Sequence, residues 1–153
     1  MPGEEAFAAR GREIVDSSLY MTIGTADADG RPWATPVYFA PDGYRELFWV
    51  SKPEARHSQN ISVRPQVGIV IFDSRSPIGA GRGVYMEAVA EELTEPTELE
   101  RGLEVFSRRS VEHGSEAWRP DDVVAPARLR LYRAVTSEQF VLEERDLRVP
   151  VTL

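Results

Sequence analysis

The sequence predicts a closed antiparallel β-barrel with peripheral helices, a mainly β member of the α+β class. Three observations carry this reading. Six or seven runs show strand-type patterning; the dipeptides Asp29-Gly30 and Asp42-Gly43 mark two successive hairpins; and helical periodicity is confined to two or three segments. So many hairpin-joined strands leave no room for a doubly wound parallel sheet.

Residues 4–18 read as a helix, with Phe7, Ile14 and Val15 on one face and Glu4 and Glu5 in the first turn, where the dipole favours acids. From Leu19 the period switches to two. Leu19, Met21 and Ile23 alternate with Tyr20, Thr22 and Gly24, as in a half-buried strand. A return strand over 32–40 and a third over 46–51 complete a meander. A short helix follows at 54–62. The run 67–72 is continuously apolar and β-branched, which predicts a strand buried on both faces.

The segment 73–83, rich in Gly, Ser and Pro, reads as a loop. A long strand over 84–93 places Val84, Met86, Ala88 and Ala90 on one face. Thr97 and Glu100 are spaced as a capping box, opening a helix that buries Leu99, Leu103 and Phe106 and stops near Gly114. Two more strands, 127–136 and 138–144, precede a loose end. The expected organisation is one domain over 1–153: an N-terminal helix at 1–18, a barrel core at 19–93, a helix at 97–114 and closing strands at 127–144.

Composition narrows the chemistry. A formal net charge of −7 argues against nucleic acid as a partner, because phosphate neutralisation needs a basic face. The chain has no cysteine and two histidines, so a disulfide framework, a thiolate metal site and a histidine-rich metal centre are all excluded, and no metal is expected. No apolar run in the sequence is long enough to cross a membrane, and the expected location is the cytoplasm.

The stretch 47–72, LFWVSKPEARHSQNISVRPQVGIVIF, points most firmly at a ligand. A strand hands over to a helix start, with Ser51, Lys52, Arg56 and His57 close together. A serine hydroxyl at the strand end can cap the helix or bond a phosphate, and Arg56 and His57 offer further donors. Read alone, the string is more often an amphipathic helix with solvated cations. The glycine loop 79–83 fails as a dinucleotide fingerprint because a strand follows it rather than a helix. Hydrolytic chemistry lacks a G-x-S-x-G elbow, and Glu87, Glu91, Glu92, Glu95, Glu98 and Glu100 read as solvent-facing positions. Trp33, Tyr38, Trp49 and Tyr85 fall on strands, where aromatics form core or a wall for a flat ring.

Together, G-R-P-W-A-T-P-V-Y-F (30–39), L-F-W-V-S (47–51), A-R-H-S-Q-N-I (55–61), R-P-Q-V-G-I-V-I-F (64–72) and V-Y-M-E-A-V-A-E-E-L (84–93) resemble, in order and spacing, the pyridoxamine 5′-phosphate oxidase-like flavin-binding split-barrel superfamily. The resemblance implies a six- to seven-stranded antiparallel split barrel and a homodimer with FMN at the subunit interface. It implies an oxidoreductase that passes hydride or electrons to a small-molecule substrate or to oxygen. Thr35, Pro36, Val37 and Tyr38 would run along the flavin, Trp49, Val50 and Ser51 would continue that wall, and Lys52, Arg56 and His57 would surround the phosphate. Arg82 and Tyr85 would meet the ring from the partner subunit. No single catalytic side chain is implied.

Departures from the oxidase itself are plain. Thr35 stands where the oxidase carries an arginine, His57 replaces its lysine, Gly83 replaces a glutamine, and its C-terminal signature is missing. The resemblance therefore implies a relative rather than the vitamin-forming enzyme. It leaves room for a deazaflavin (F420) reductase, with Lys52, Arg56 and Arg64 as a basic groove. It also leaves room for a non-enzymatic cofactor- or heme-binding protein, and for a scaffold without a cofactor.

Overall fold

The computed structural model describes residues 3–153. Residues 1 and 2, at the start of the predicted N-terminal segment, lie outside the described residues. Helix α1 (Glu4–Ser17) leads into β1 (Tyr20–Ala26), β2 (Pro32–Tyr38), β3 (Ala40–Asp42) and β4 (Glu46–Ser51). Helix α2 (Arg56–Val63), β5 (Gln66–Phe72), β6 (Gly83–Glu92), helix α3 (Pro96–Glu112), a 3-10 turn (Pro120–Asp122), β7 (Arg130–Leu142) and β8 (Arg148–Val151) follow. All pairings are antiparallel, in the order β2-β1-β5-β6-β7-β4-β3, with β8 added beside β7.

This order contains its own proof of curvature. β2 and β3 lie at opposite ends of the sheet, yet only Phe39 separates Tyr38 from Ala40. A sheet whose two ends are one residue apart in the chain must curl until they meet. β2 and β4 then face each other without a ladder between them, so the barrel has an open seam. Pro32 and Pro36 are compatible with β2 because an edge strand leaves one row of backbone groups unpaired.

The expected antiparallel, mainly β architecture is present, with differences in detail. The strand expected over 32–40 is divided at Phe39, where the chain leaves one end of the sheet for the other. The two strands expected at 127–136 and 138–144 form one strand, β7. Ser137 is an extra residue in its register, opposite the step from Glu87 to Ala88. The loose end pairs as β8. The capping box expected from Thr97 and Glu100 does not form; the Glu95 carboxylate accepts from the amides of Thr97 at 3.0 Å and Glu98 at 2.8 Å. The expected two-sided burial of β5 is also absent: Val67, Ile69 and Ile71 point inward, whereas Gly68 and Phe72 are exposed.

β4 is the strand that is covered on both faces. Leu47 and Trp49 belong to the barrel interior, with Met21, Ile23, Phe39, Ile69, Val84 and Met86. Phe48 belongs to a second core outside the barrel, beneath Leu99, Leu103 and Phe106 of α3. α1 and Ile61 of α2 complete the interior core. α2 is also tied to β1 by a buried polar link, Asn60 Nδ2 donating to Thr25 Oγ1 at 3.0 Å.

Two arginine centres anchor α3. Arg109 donates to the carbonyl of Ser18 at 2.7 Å, just beyond α1, a helix with no basic residue in its last turn. Arg133 of β7 meets Glu98 of α3 at 2.6 Å and Glu46 of β4 at 3.2 Å, while Arg101 joins Glu46 at 2.8 Å. Among the described residues no helix is long and apolar enough to cross a membrane.

α3 approaches β4 most closely at Gly102, where an added Cβ would lie 2.6 Å from Phe48 Cε1 and 3.1 Å from Leu93 Cδ1. The Phe48 ring is fully buried and has no room to retreat. Gly102→Ala is expected to destabilise the fold by about 1–3 kcal/mol, as overpacking does. Urea unfolding checks this, a lower midpoint with unchanged slope being the expected result.

Candidate functional site

A cleft of about 570 Å³ opens along the seam. β2 contributes Pro36, Val37 and Tyr38 to it, β4 contributes Val50 and Ser51, and α2 contributes His57. Phe106 and Ser110 of α3 flank it, followed by His113, Ser115 and Trp118. Leu19, Tyr20 and Leu129 complete the lining.

Strand alternation explains the β2 wall. Val37 and Phe39 point into the barrel, so Tyr38 points outward, onto α3. There its ring packs edge-on against Phe106 at 5.6 Å, and its hydroxyl lies 2.8 Å from His113 Nδ1. Burial raises the Tyr38 pKa, so the phenol stays protonated.

The β4 wall ends in a second polar pair. Ser51 and His57 are both buried, with Nε2 of His57 at 2.8 Å from Ser51 Oγ. Ser51 therefore does not cap α2. The N-cap position is Ala55, with no side-chain cap and no acid in the first turn. The first-turn amides of α2 are left for an anion or water, beside a hydroxyl and an imidazole. Burial lowers the His57 pKa, so the ring is neutral near pH 7.

Other residues expected near a ligand sit elsewhere. Thr35 is half-buried on β2 opposite Ile23 and is outside the cleft lining. Trp49 is fully buried in the barrel and stacks on Tyr132, with ring centres 5.7 Å apart. Lys52 and Arg56 are exposed and outside the lining; the Arg56 guanidinium lies over the Trp33 ring at 4.3 Å. Arg64 donates to the carbonyls of Asp27 and Ala28. Arg82 lies 3.8 Å from Glu13, and Tyr85 lies on an outer face of the barrel beneath Arg148. Within one chain, neither Arg82 nor Tyr85 reaches the cleft.

The α3 side of the cleft was not anticipated from sequence. Phe106, Ser110 and His113 are spaced four and three residues apart, as on one helix face, but that spacing alone reads as core. A usable signal was that His113 is one of only two histidines in the chain. Among the described residues no group of three or more His, Asp or Glu is placed to hold a metal ion.

Residues 7–139 match the family model described as pyridoxamine 5′-phosphate oxidase. The chain belongs to that family. Solved structures with the same fold include the heme storage protein HutZ from Vibrio cholerae, at 22% identity and a TM-score of 0.66, covering 85% of this chain and 90% of HutZ. A heme-binding protein from Mycobacterium smegmatis is similar at 18% identity and a TM-score of 0.74, over 99% of this chain and 59% of that one. An F420 reductase is similar at 18% identity and a TM-score of 0.61, over 84% of this chain and 94% of that one. A comparison with curated proteins finds no match.

The buried state of His57 has a measurable consequence. Its folded pKa lies below the ordinary 6.5, so the unfolded chain takes up a proton that the folded chain resists. Stability from this group is full above pH 6.5 and is lost as pH falls through that value towards the folded pKa. Urea midpoints at pH 7 and pH 5 are expected to fall more for the wild type than for His57→Asn. In proton NMR, the His57 ring signal is expected to titrate below 6.5.

Proposed function

We propose that this chain is a flavin-dependent oxidoreductase holding FMN in the seam cleft, with the phosphate at Ser51, His57 and the uncapped start of α2. The observation that carries this reading is the conjunction of that polar end with the free edge of β2 along one 570 Å³ cleft. The volume suits a ligand of flavin size. The outward backbone groups of β2, the Pro36 carbonyl and the amide and carbonyl of Tyr38, are available to bond the edge of a ring, since Thr35 and Val37 face β1. Val50 and Pro36 give it apolar contact, and Lys52 and Arg56 supply positive charge at the mouth.

Bound flavin would supply the hydride or electrons passed to a small substrate or to oxygen. The chain itself binds, orients and shields. Ser51 and His57 hold the phosphate end, with His57 donating at most one hydrogen bond because it is neutral. The neutral ring predicts modest affinity.

A deazaflavin such as F420 is the second reading. It is favoured by one feature, the exposed Arg56 and Lys52 outside the cleft lining, which suit an anionic tail running away from the ring. Titration decides between them. Saturable FMN binding is expected, weakened about tenfold or more in Ser51→Ala/His57→Ala, the loss of charge-assisted bonds. Saturable F420 binding without FMN binding, or a Soret band on heme addition without flavin binding, overturns the FMN reading.

The functional unit is proposed to be a homodimer. Gly24, Ala34, Gly68, Val70, Tyr85 and Phe140 form an apolar outer face on the barrel, flattened by its two glycines. The apolar run of β5 has the composition of a strand covered on both sides, while one chain covers a single side. A second copy on this face buries the other and brings Arg82 and Tyr85 towards a neighbouring cleft. Light scattering is expected to give a dimer, and Val70→Arg a monomer; a monomeric wild type removes this assembly.

A further inference from the structure

The two histidines of the chain line the same cleft on different elements, each hydrogen-bonded to a different hydroxyl. The Ser51–His57 pair serves the proposed phosphate end. The Tyr38–His113 pair has no role there. It sits in an aromatic wall that runs Tyr20, Tyr38, Phe106, Trp118, with successive ring centres 6.2, 5.6 and 5.5 Å apart, all edge-on. Such a wall accepts a flat ring by stacking or edge contact.

Polar capacity on this side is nearly all used internally. Ser110 Oγ donates to the Phe106 carbonyl at 2.8 Å, and the Trp118 amide donates to Ser107 Oγ at 2.8 Å. No Asp, Glu, Lys or Arg lines the cleft. A neutral ligand is favoured here, because no charged side chain lines the cleft and Arg109, which acts on the Tyr38 hydroxyl, is already committed to the Ser18 carbonyl. The 2.8 Å contact permits the tautomer in which His113 Nδ1–H donates to the phenol oxygen, and in that tautomer the Tyr38 hydroxyl proton is free to be given to a ligand. The pair offers one directed hydrogen bond to an oxygen.

We propose that the α3 side of the cleft binds a planar aryl-conjugated carbonyl compound, its ring against the aromatic wall and its oxygen accepting a hydrogen bond from Tyr38. Tyr38 contacts the ligand; His113 is a positioning residue that aims the phenol. A conjugated carbonyl polarised at its oxygen is also a good hydride acceptor, which makes it the substrate class of the proposed oxidoreductase. Calling it a substrate rests on the flavin reading; binding does not.

The test uses 4-phenyl-3-buten-2-one and its hydrocarbon counterpart, 1-phenyl-1-butene, titrated calorimetrically into the whole chain with and without FMN. The chain has no cysteine to add to the enone. Saturable enone binding is expected, with a red-shifted enone absorption band. Tyr38→Phe is expected to weaken it about tenfold and abolish the red shift, leaving hydrocarbon binding unchanged. His113→Ala, at an exposed position, is expected to reduce the shift and His113→Gln to restore part of it. No saturable enone binding, or equal affinity and shift in wild type and Tyr38→Phe, overturns the assignment. Tyr38-dependent enone binding by a chain that takes up no FMN would leave this pocket standing and remove only the flavin reading.

Discussion

Closure of the barrel through Phe39 is the constraint on which the remaining geometry depends. The chain passes from one end of the sheet to the other in that one residue, so Phe39 cannot relax outward without opening the seam. Its side chain is fully buried, its amide donates to the Leu19 carbonyl at 3.3 Å, and the Arg109 guanidinium lies over its ring at 5.1 Å. The same arginine bonds the Ser18 carbonyl just past the end of α1. One arginine thus links the seam, α1 and α3. Tyr38, next to Phe39, is turned outward by strand alternation, and this delivers its hydroxyl to His113. The polar chemistry of the cleft is a by-product of closure.

Charge is distributed to match. Among the described residues no Asp, Glu, Lys or Arg lines the cleft, and Lys52 and Arg56 stand outside it. An anionic group can be tolerated only at the α2 end, where amides, a hydroxyl and an imidazole converge and the two cations are nearest in sequence. The aromatic end excludes ions. A ligand with one charged end and one flat end fits this polarity, and FMN is such a molecule. Stacking of Arg56 on Trp33 fixes that cation outside the lining without desolvating it.

The strand content, the two hairpins and the inward face of β6 were legible from sequence, because period-two alternation and Gly-containing turns are local signals. What was not legible depended on tertiary neighbours. The two apolar strands exchanged roles: β4 is covered on both faces because α3 packs over Phe48, and nothing in LFWV says where a helix that starts at Pro96 will lie. Glu95 displaced Thr97 as cap because its longer side chain reaches two amides at once. The meeting of Ser51 and His57 at one end of the cleft was legible because a strand end and helix start adjoin in the chain. The α3 end was not, since Tyr38 and His113 are brought together only by the seam.

The solved structures of the same fold include proteins named for heme and for F420, so the fold alone does not choose a guest and the argument falls to the lining. Heme carries two propionates and asks for an axial ligand. In this cleft no cationic side chain is placed to receive propionates, and His57 has its Nε2 engaged by Ser51. His113 has its Nδ1 engaged by Tyr38, which leaves Nε2 as the free imidazole nitrogen of that ring. A flavin asks for less: one anion site at one end, a few backbone partners such as the Pro36 carbonyl and the Tyr38 amide along its edge, and an apolar bed. Ser51 and His57, already hydrogen-bonded to each other, form a single polar end suited to one anion, whereas no lining cation is present for two, and this asymmetry is the reason for proposing the flavin.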